Sequence, residues 1–157
     1  MAHKKYLYML IGVPGSGKST WIESQVWPKE LPIVSTDRFI DEYAAQVGKT
    51  YNEVFKEYIG TATAMLKDQV ATCRGNGTSI VWDQTNTSVK SRKEKLAMLP
   101  DYYKIAVFFK TPEAEEHARR LANRPGKSIP RNVMGSMIAN LEMPTEAEGF
   151  REIWYAY

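Results

Sequence analysis

The residues best suited to chemistry form one glycine-rich run, Gly12-Val-Pro-Gly-Ser-Gly-Lys-Ser19. The run matches the eight-residue P-loop pattern, and it lies between an apolar segment typical of a strand and a segment typical of a helix. Its glycines let the backbone curl so that successive N–H groups point at phosphate oxygens, and the helix N-terminus adds positive potential. We therefore expect a binding site for ATP or another nucleoside triphosphate, formed by Gly12, Pro14, Gly15, Ser16, Gly17, Lys18, Ser19 and Thr20.

The last residues of this run have distinct expected roles. Lys18 should reach the β- and γ-phosphates, and Ser19 should hold Mg²⁺, a cation that prefers oxygen ligands. Thr20 either touches a phosphate or only starts the helix. The pattern leaves the phosphate acceptor open, since GTPases and motors use water and kinases use a substrate hydroxyl. A chain of 157 residues has little room for the additional modules of motors, so its length favours a small kinase.

A second group of candidate residues is cationic. Five cations fall within residues 119–131, namely Arg119, Arg120, Arg124, Lys127 and Arg131. Arg120 and Arg124 are four residues apart, so they share one helix face and can lean over the same ligand. Lid arginines of this kind neutralise charge on a transferred phosphate in small kinases, although a solvated basic face is the alternative. We expect a short basic lid over approximately residues 118–131.

Two acids follow predicted strands, Asp37 in IVSTDRF and Asp83 in SIVWDQTN. Ligands of parallel α/β folds bind at the carboxyl ends of strands, so both acids should face the cleft. Asp37 either caps the next helix or takes a proton from the acceptor hydroxyl, and Ser35 or Thr36 could supply the cap instead. Asp83 either supports Mg²⁺ through water, tethers a P-loop hydroxyl, or shapes a turn.

The elements that must position these residues alternate between strands and helices. This alternation predicts an α/β fold with a parallel five-stranded sheet flanked by helices. The predicted strands are Tyr6 to Ile11, Pro32 to Ser35, Ser79 to Trp82, Tyr103 to Phe109 and Glu152 to Tyr157. The predicted helices begin after Lys18 and cover roughly Asp37 to Gln46, Asn52 to Arg74, Ser88 to Met98, Pro112 to Arg124 and Pro130 to Glu142.

Composition limits the remaining possibilities. With 43% hydrophobic and 25% charged residues, the chain should form one domain over residues 1–157. A net charge of +3 permits an anionic partner without requiring one. Cys73 is the only cysteine, which excludes an internal disulfide and fits a reducing, cytoplasmic compartment. His3 and His117 are expected to be ordinary surface histidines, and the N-terminal apolar run is too short to span a membrane.

The segments GVPGSGKSTW, STD, VWDQTN, RRLANRPGKSIPRNVM and EMPTEAEGF, in this order and spacing, resemble the kinase domain of phage-type polynucleotide 5′-hydroxyl kinases. The resemblance implies an adenylate-kinase-like P-loop core that uses ATP and Mg²⁺. It further implies transfer of the γ-phosphate to the 5′-hydroxyl of DNA or RNA in nucleic acid end repair. Nucleic acid ends would be the partner, with no obligatory protein partner, in the host cytoplasm if a phage encodes the chain.

The same resemblance assigns roles by position. Lys18 and Ser19 match the P-loop lysine and serine, and Asp37 matches the family's general base. Asp83 matches the second essential acid, while Arg120 and Arg124 match the lid arginines. Lys18, Asp37 and Arg124 are thus the expected catalytic residues.

The chain also departs from the family pattern. Ile40 occupies the position of an acceptor-binding arginine, so we expect Arg38, next to the base, on the acceptor side. No phosphatase motif is present, so removal of 3′-phosphates is not expected.

Some residues support a nucleic acid acceptor independently of the resemblance. Lys90, Arg92, Lys93 and Lys95 form a second cationic cluster, and aromatic residues offer stacking platforms, although such a helix face is commonly just solvated. A small-metabolite kinase acting on a sugar acid or a nucleoside is the main alternative. It would share the P-loop, the acid and the lid, but would need a closed polar pocket. An ATPase without an acceptor is the third possibility.

Overall fold

The computed structural model describes residues 4–27 and 31–156. These residues form a five-stranded parallel sheet with helices on both faces. The strands β1 to β5 are Tyr6–Ile11, Ile33–Val34, Ile80–Asp83, Tyr103–Phe109 and Glu152–Ala156. The helices α1 to α6 are Lys18–Ser24, Thr36–Val47, Tyr51–Asn76, Val89–Ala97, Ala114–Ala122 and Arg131–Ala139, and a 3₁₀ helix covers Glu146–Glu148.

The strand order is β2-β3-β1-β4-β5, which places the first strand at the centre. Every neighbouring pair is parallel, so all carboxyl ends meet at one edge. In the register, Leu10 of β1 pairs with Asp83 on one side and with Val107 on the other. The glycine-rich run therefore leaves the sheet between β3 and β4, where the chain connections diverge and a crevice opens.

The central strand is buried on both faces. Leu7 and Met9 pack into a cluster that contains Leu66 of α3, whereas Leu10 points to the opposite cluster with Ile22 of α1. All three strand residues have no exposed surface, as expected for a parallel sheet covered by helices. Cys73 belongs to the first cluster, so it is a buried core residue.

The long helix α3 forms a hairpin with α2 beside the sheet. Thr50 and Glu53 make a capping box at its start, and Gly77 ends it with a φ of 66°. Ile40 of α2 packs against Val54 of α3 in a third apolar cluster. The hairpin fixes the start of α2, and with it the position of Asp37, relative to the start of α3.

The predicted elements all occur, with some changes of boundary. β1 and β4 have the predicted bounds, whereas β2 is reduced to two residues and α6 ends three residues early. Tyr157, predicted to end the last strand, and His3 lie outside the described residues. Across residues 4–27 and 31–156, no helix is long and apolar enough to cross a membrane.

Candidate active site

The glycine-rich run forms a tight loop between β1 and α1. Gly15 and Gly17 have φ values of 80° and 103°, in the left-handed region that glycine adopts without strain. Gly12 is needed for space, because a Cβ there would lie 2.6 Å from Ser16 Oγ and 2.9 Å from Phe109 Cβ. The loop geometry thus depends on three glycines for two different reasons.

Lys18 lies back along this loop. Its Nζ donates hydrogen bonds to Gly12 O at 2.6 Å and to Val13 O at 3.2 Å. Burial lowers the pKa of Lys18 to about 8, although the nearby carboxylates of Asp83 and Asp37 act in the opposite direction. The ammonium group of Lys18 is therefore a partly desolvated cation, which attracts an anionic ligand.

Three hydroxyl groups line the same region. Ser16 Oγ is buried with no hydrogen-bond partner among the described residues, while the side chains of Ser19 and Thr20 are exposed to the cleft. An unsatisfied buried hydroxyl is costly, and a bound anion or water would satisfy it. The loop thus has hydrogen-bonding capacity that its own residues do not use.

Helix α5 lies directly on the loop. Arg120 donates from Nη1 to Gly15 O at 3.2 Å and from Nε to Glu116 at 3.0 Å. His117 Nε2 lies 2.7 Å from Pro14 O, and because a carbonyl can only accept, Nε2 must carry the proton. His117 is only 5% exposed, so its prediction as a surface histidine is wrong. Its ring packs against the glycine-rich loop.

The five lid cations do not act together. Arg120 and Arg124 both line the cleft, and Nη1 of Arg124 is buried with no partner within the described part of the chain. Arg119 is exposed and pairs with Glu116, and Arg131 is exposed on α6. Lys127 bonds to Asp41 of α2 at 2.7 Å, outside the cleft. The prediction that Arg120 and Arg124 share one helix face is wrong, because α5 ends at Ala122 and Arg124 lies in the loop after it, although both side chains line the cleft. The guanidinium nitrogen of Arg124 that has no partner among the described residues can bind an anion.

Asp37 lies in the first turn of α2, directly after β2. Its Oδ1 accepts a hydrogen bond of 2.6 Å from the hydroxyl of Tyr51. Ser35 occupies the N-cap position but makes no side-chain capping bond, and Thr36 Oγ1 accepts from Gln84. Neither hydroxyl is thus the capping group predicted, and the carboxylate of Asp37 bonds to a neighbouring element.

Asp83 ends β3 and faces the P-loop. Burial raises the pKa of Asp83, and the ammonium group of Lys18 acts against this rise. Both groups line the same cleft as Asp37. The structure thus brings one cation and two acids to the carboxyl edge of the sheet, as the sequence predicted.

Tyr51 is one residue beside the site that sequence reasoning missed. Burial and the hydrogen bond to Asp37 raise the pKa of Tyr51 far above its ordinary value, so the phenol stays a donor at any working pH. The two residues are 14 positions apart on different helices, and no motif links them. The only signal was the position of Tyr51 at the start of the helix after Asp37.

The cleft has a volume of about 700 Å³. Of the candidate residues, Gly12 lies buried under the loop and Arg38 is exposed outside the cleft. The other candidates all line it, namely Pro14, Gly15, Ser16, Gly17, Lys18, Ser19, Thr20, Asp37, Asp83, Arg120 and Arg124. A volume of this order accommodates a nucleotide-sized ligand.

The second cationic cluster is not a surface patch, so that interpretation is wrong for two of its members. Arg92 is fully buried and makes a two-bond ion pair with Glu148, at 2.8 and 3.2 Å. Lys95 bonds to the side chain of Asn86, and only Lys90 and Lys93 are exposed. Arg92 is buried because of a partner far along the chain. It links α4 to the EMPTEAEGF segment, whose Glu148 lies 56 residues further along the sequence.

Residues 7–144 match the AAA domain family. The chain belongs to the AAA domain family. This AAA domain is 25% identical over 152 residues to a bifunctional polynucleotide phosphatase/kinase of Schizosaccharomyces pombe. The alignment covers 94% of the chain and 32% of the yeast protein, so the chain spans about a third of the length of that curated relative.

Solved structures give the fold of this AAA domain. A chain of the Pnkp1/Rnl/Hen1 RNA repair complex is 24% identical with a TM-score of 0.68, over 90% of this chain and 45% of that chain. A gluconokinase from Sinorhizobium meliloti 1021 is 16% identical with a TM-score of 0.57, over 98% and 83% of the two chains. The predicted α/β P-loop kinase fold is therefore confirmed. Proteins that share it include a component of an RNA repair complex and a gluconokinase.

Proposed function

We propose that this AAA domain is an ATP-dependent kinase that transfers the γ-phosphate of ATP to the 5′-hydroxyl end of DNA or RNA. One observation carries the proposal: a single cleft holds Lys18 of the P-loop, Arg124 of the lid and the carboxylate of Asp37. These are the groups that phosphoryl transfer to a hydroxyl requires. The Nη1 of Arg124 has no partner among the described residues. The acceptor class is supported by the yeast relative, whose name includes a polynucleotide kinase, and by the likeness to the RNA repair complex.

The phosphate side of the mechanism rests on residues of the loop and the lid. The backbone N–H groups of the P-loop and Lys18 bind the phosphates of ATP, and Ser16 Oγ gains the partner that it lacks. Arg120 and Arg124 line the same cleft and supply further positive charge there. Fixed cations stabilise the charge that spreads over the transferred group in the transition state, and they need no reorganisation at that moment.

The acceptor side rests on Asp37. Its Oδ2 is left for the acceptor hydroxyl, while Oδ1 accepts from Tyr51. Because the transition state of phosphoryl transfer is loose, the carboxylate mainly orients the hydroxyl and takes its proton late. An exposed Arg38 one residue further along α2 can contact the acceptor strand outside the cleft.

The cleft also fits Mg²⁺. Mg²⁺ keeps several waters and uses one or two carboxylates together with substrate phosphates, so a dedicated protein cage is not needed. In the described ranges no group of three or more His, Cys, Asp and Glu side chains could hold a metal, whereas Ser19 and Asp83 line the cleft with oxygen donors. Ser19 would hold the ion directly, and Asp83 through water. Bound Mg²⁺ supplies positive charge at the β- and γ-phosphates.

The test is a transfer assay with γ-labelled ATP, Mg²⁺ and four acceptors: 5′-hydroxyl DNA, 5′-hydroxyl RNA, a nucleoside and gluconate. We expect label on at least one of the two nucleic acids and loss of this label in Lys18→Met. Label only on gluconate or the nucleoside would contradict the proposal and support the small-metabolite alternative, which the gluconokinase fold accommodates. ATP turnover that no acceptor stimulates would support an ATPase.

Several expectations from the sequence remain predictions alongside this proposal. They are the single domain over residues 1–157, the absence of an obligatory protein partner, the cytoplasmic compartment and the phage origin. The curated relative is a yeast protein, so it adds no support for the phage type.

A further inference from the structure

The hydroxyl of Tyr51 is the one group on α3 that contacts a carboxylate of the cleft among the described hydrogen bonds. It donates to Asp37 Oδ1 at 2.6 Å, a distance typical of a strong bond between a hydroxyl and a charged oxygen. Tyr51 is half-buried and lies on α3, whereas Asp37 lies on α2. The bond therefore fixes the carboxylate from outside its own helix.

The ring of Tyr51 is itself held on two sides. Lys127 Nζ lies 5.0 Å from the ring centroid, and the Phe55 ring lies 5.6 Å away on the next turn of α3. Lys127 comes from the lid loop and also pairs with Asp41 at 2.7 Å. A tyrosine with a fixed ring offers its hydroxyl from one direction, which is what an orienting group requires.

The lid loop is attached to the same end of α3. The N–H of Asn52 donates to Gly126 O at 2.9 Å, and the Asn52 side chain donates to Ser128. Gly126 passes so close to Thr50 that a Cβ would lie 2.8 Å from Thr50 Cβ. The start of α3 thus contacts both Asp37 and the loop that follows Arg124, with Tyr51 between them.

We propose that Tyr51 is a positioning residue for phosphoryl transfer, which orients the carboxylate of Asp37 toward the acceptor hydroxyl. The inference rests on the proposed function, because it takes Asp37 as the group that receives the acceptor. Tyr51 donates one hydrogen bond to Oδ1, and this bond leaves Oδ2 directed at the acceptor. Tyr51 does not touch the reacting atoms and exchanges no proton with them.

The experiment compares kcat and KM of Tyr51→Phe with those of wild type, using the best acceptor of the transfer assay. Tyr58→Phe is the matched control, since Tyr58 is also half-buried on α3 but bonds to Met65 and stacks on Tyr43. Loss of one hydrogen bond to a charged group should lower kcat of Tyr51→Phe about 10-fold, with KM for ATP changed less than about two-fold. Tyr58→Phe should keep wild-type kcat. Wild-type kcat in Tyr51→Phe, or a changed KM for ATP with unchanged kcat, would overturn the inference.

A double-mutant cycle with Asp37→Asn separates an effect through Asp37 from a general structural one. If Tyr51 acts through Asp37, Tyr51→Phe should change single-turnover transfer less than about two-fold in the Asp37→Asn background. Equal losses in both backgrounds would overturn the inference. Failure of the proposed function can be distinguished from failure of this inference. An enzyme that labels only gluconate contradicts the nucleic acid acceptor. The same double-mutant cycle, run with gluconate as acceptor, then still tests the role of Tyr51. Transfer to no acceptor at all would contradict both.

Discussion

Arg92 offers the sharpest prediction about what holds the fold together. Its guanidinium has no exposed surface and pairs with Glu148, whose side chain is only 7% exposed. It also donates to the carbonyl oxygens of Asn86, Glu142 and Met143, at 2.8, 3.1 and 3.4 Å. Arg92→Met would remove all of these bonds at once and leave a buried carboxylate without its cation.

The magnitude follows from that geometry. Removing one partner of a buried ion pair costs about 3 to 5 kcal/mol. Glu148 keeps two hydrogen bonds from Thr145, at 2.9 and 3.3 Å, so we expect the lower end of this range. With a urea dependence of about 1.5 to 2 kcal/mol per molar, a loss of about 3 kcal/mol lowers the urea midpoint by about 1.5 to 2 M. The melting temperature should fall by about 6 to 12 °C.

The assay is urea unfolding of wild type, Arg92→Met and Lys93→Met. Lys93 is the exposed neighbour on α4, so its replacement should change the free energy of unfolding by less than about 0.5 kcal/mol. Arg92→Met/Glu148→Met should recover part of the loss, since an apolar pair leaves no unpaired charge. Equal midpoints for Arg92→Met and Lys93→Met would refute the reasoning, as would weaker nucleic acid binding in Arg92→Met without destabilisation.

The same reasoning sets a pH dependence. Burial acts to raise the pKa of Glu148, but hydrogen bonds from Arg92 and Thr145 outweigh it and hold this pKa below its ordinary value. A carboxyl group with a lowered folded-state pKa stabilises the fold at neutral pH, and this contribution is lost as pH falls through the folded-state pKa. The difference in stability between wild type and Arg92→Met should therefore shrink below about pH 4.

Three further predictions concern the cleft. Because burial lowers the pKa of Lys18 to about 8, the free protein loses this cation above that pH. Calorimetry should therefore show the Kd for ATP rising by up to about 10-fold per pH unit above about pH 8. A Kd that does not change with pH, as expected for Lys18→Met, would contradict this. Gly12→Ala would place a Cβ 2.6 Å from Ser16 Oγ and should weaken ATP binding at least about 10-fold, whereas Gly60→Ala, with nothing within 4 Å, should bind normally. Arg124→Met should lower kcat for transfer at least about 100-fold, and wild-type kcat would exclude Arg124 from the transfer step.

The sequence predicted those features that depend on local pattern. The bounds of β1 and β4 were right because each strand consists mainly of apolar residues that the sheet buries. The P-loop was right because its glycines, lysine and serine must lie at fixed spacing between a strand and a helix. Arg120 and Arg124 both line the cleft as predicted, but not on one helix face, because α5 ends at Ala122 and the turn after it carries Arg124.

The features that the sequence did not predict depend on partners far along the chain. Arg92 is buried because Glu148 meets it from 56 residues away, and His117 is buried because Pro14 O lies 103 residues away. Tyr51 bonds to Asp37 only because the α2–α3 hairpin folds the two helix starts together. From residue type alone, a charged or polar side chain is expected at the surface. Only the tertiary fold supplies the hydrogen-bond or ion-pair partner that permits its burial.

The most direct test of the account is the rate of γ-phosphate transfer to a 5′-hydroxyl oligonucleotide by Asp37→Asn. Asp68→Asn, an exposed aspartate on α3, is the matched control. We predict a rate about 10²- to 10⁴-fold below wild type for Asp37→Asn, with a wild-type rate for the control. The free energy of unfolding of Asp37→Asn should change by less than about 1 kcal/mol, since the amide oxygen can still accept from Tyr51. Transfer by Asp37→Asn at the wild-type rate would contradict the account.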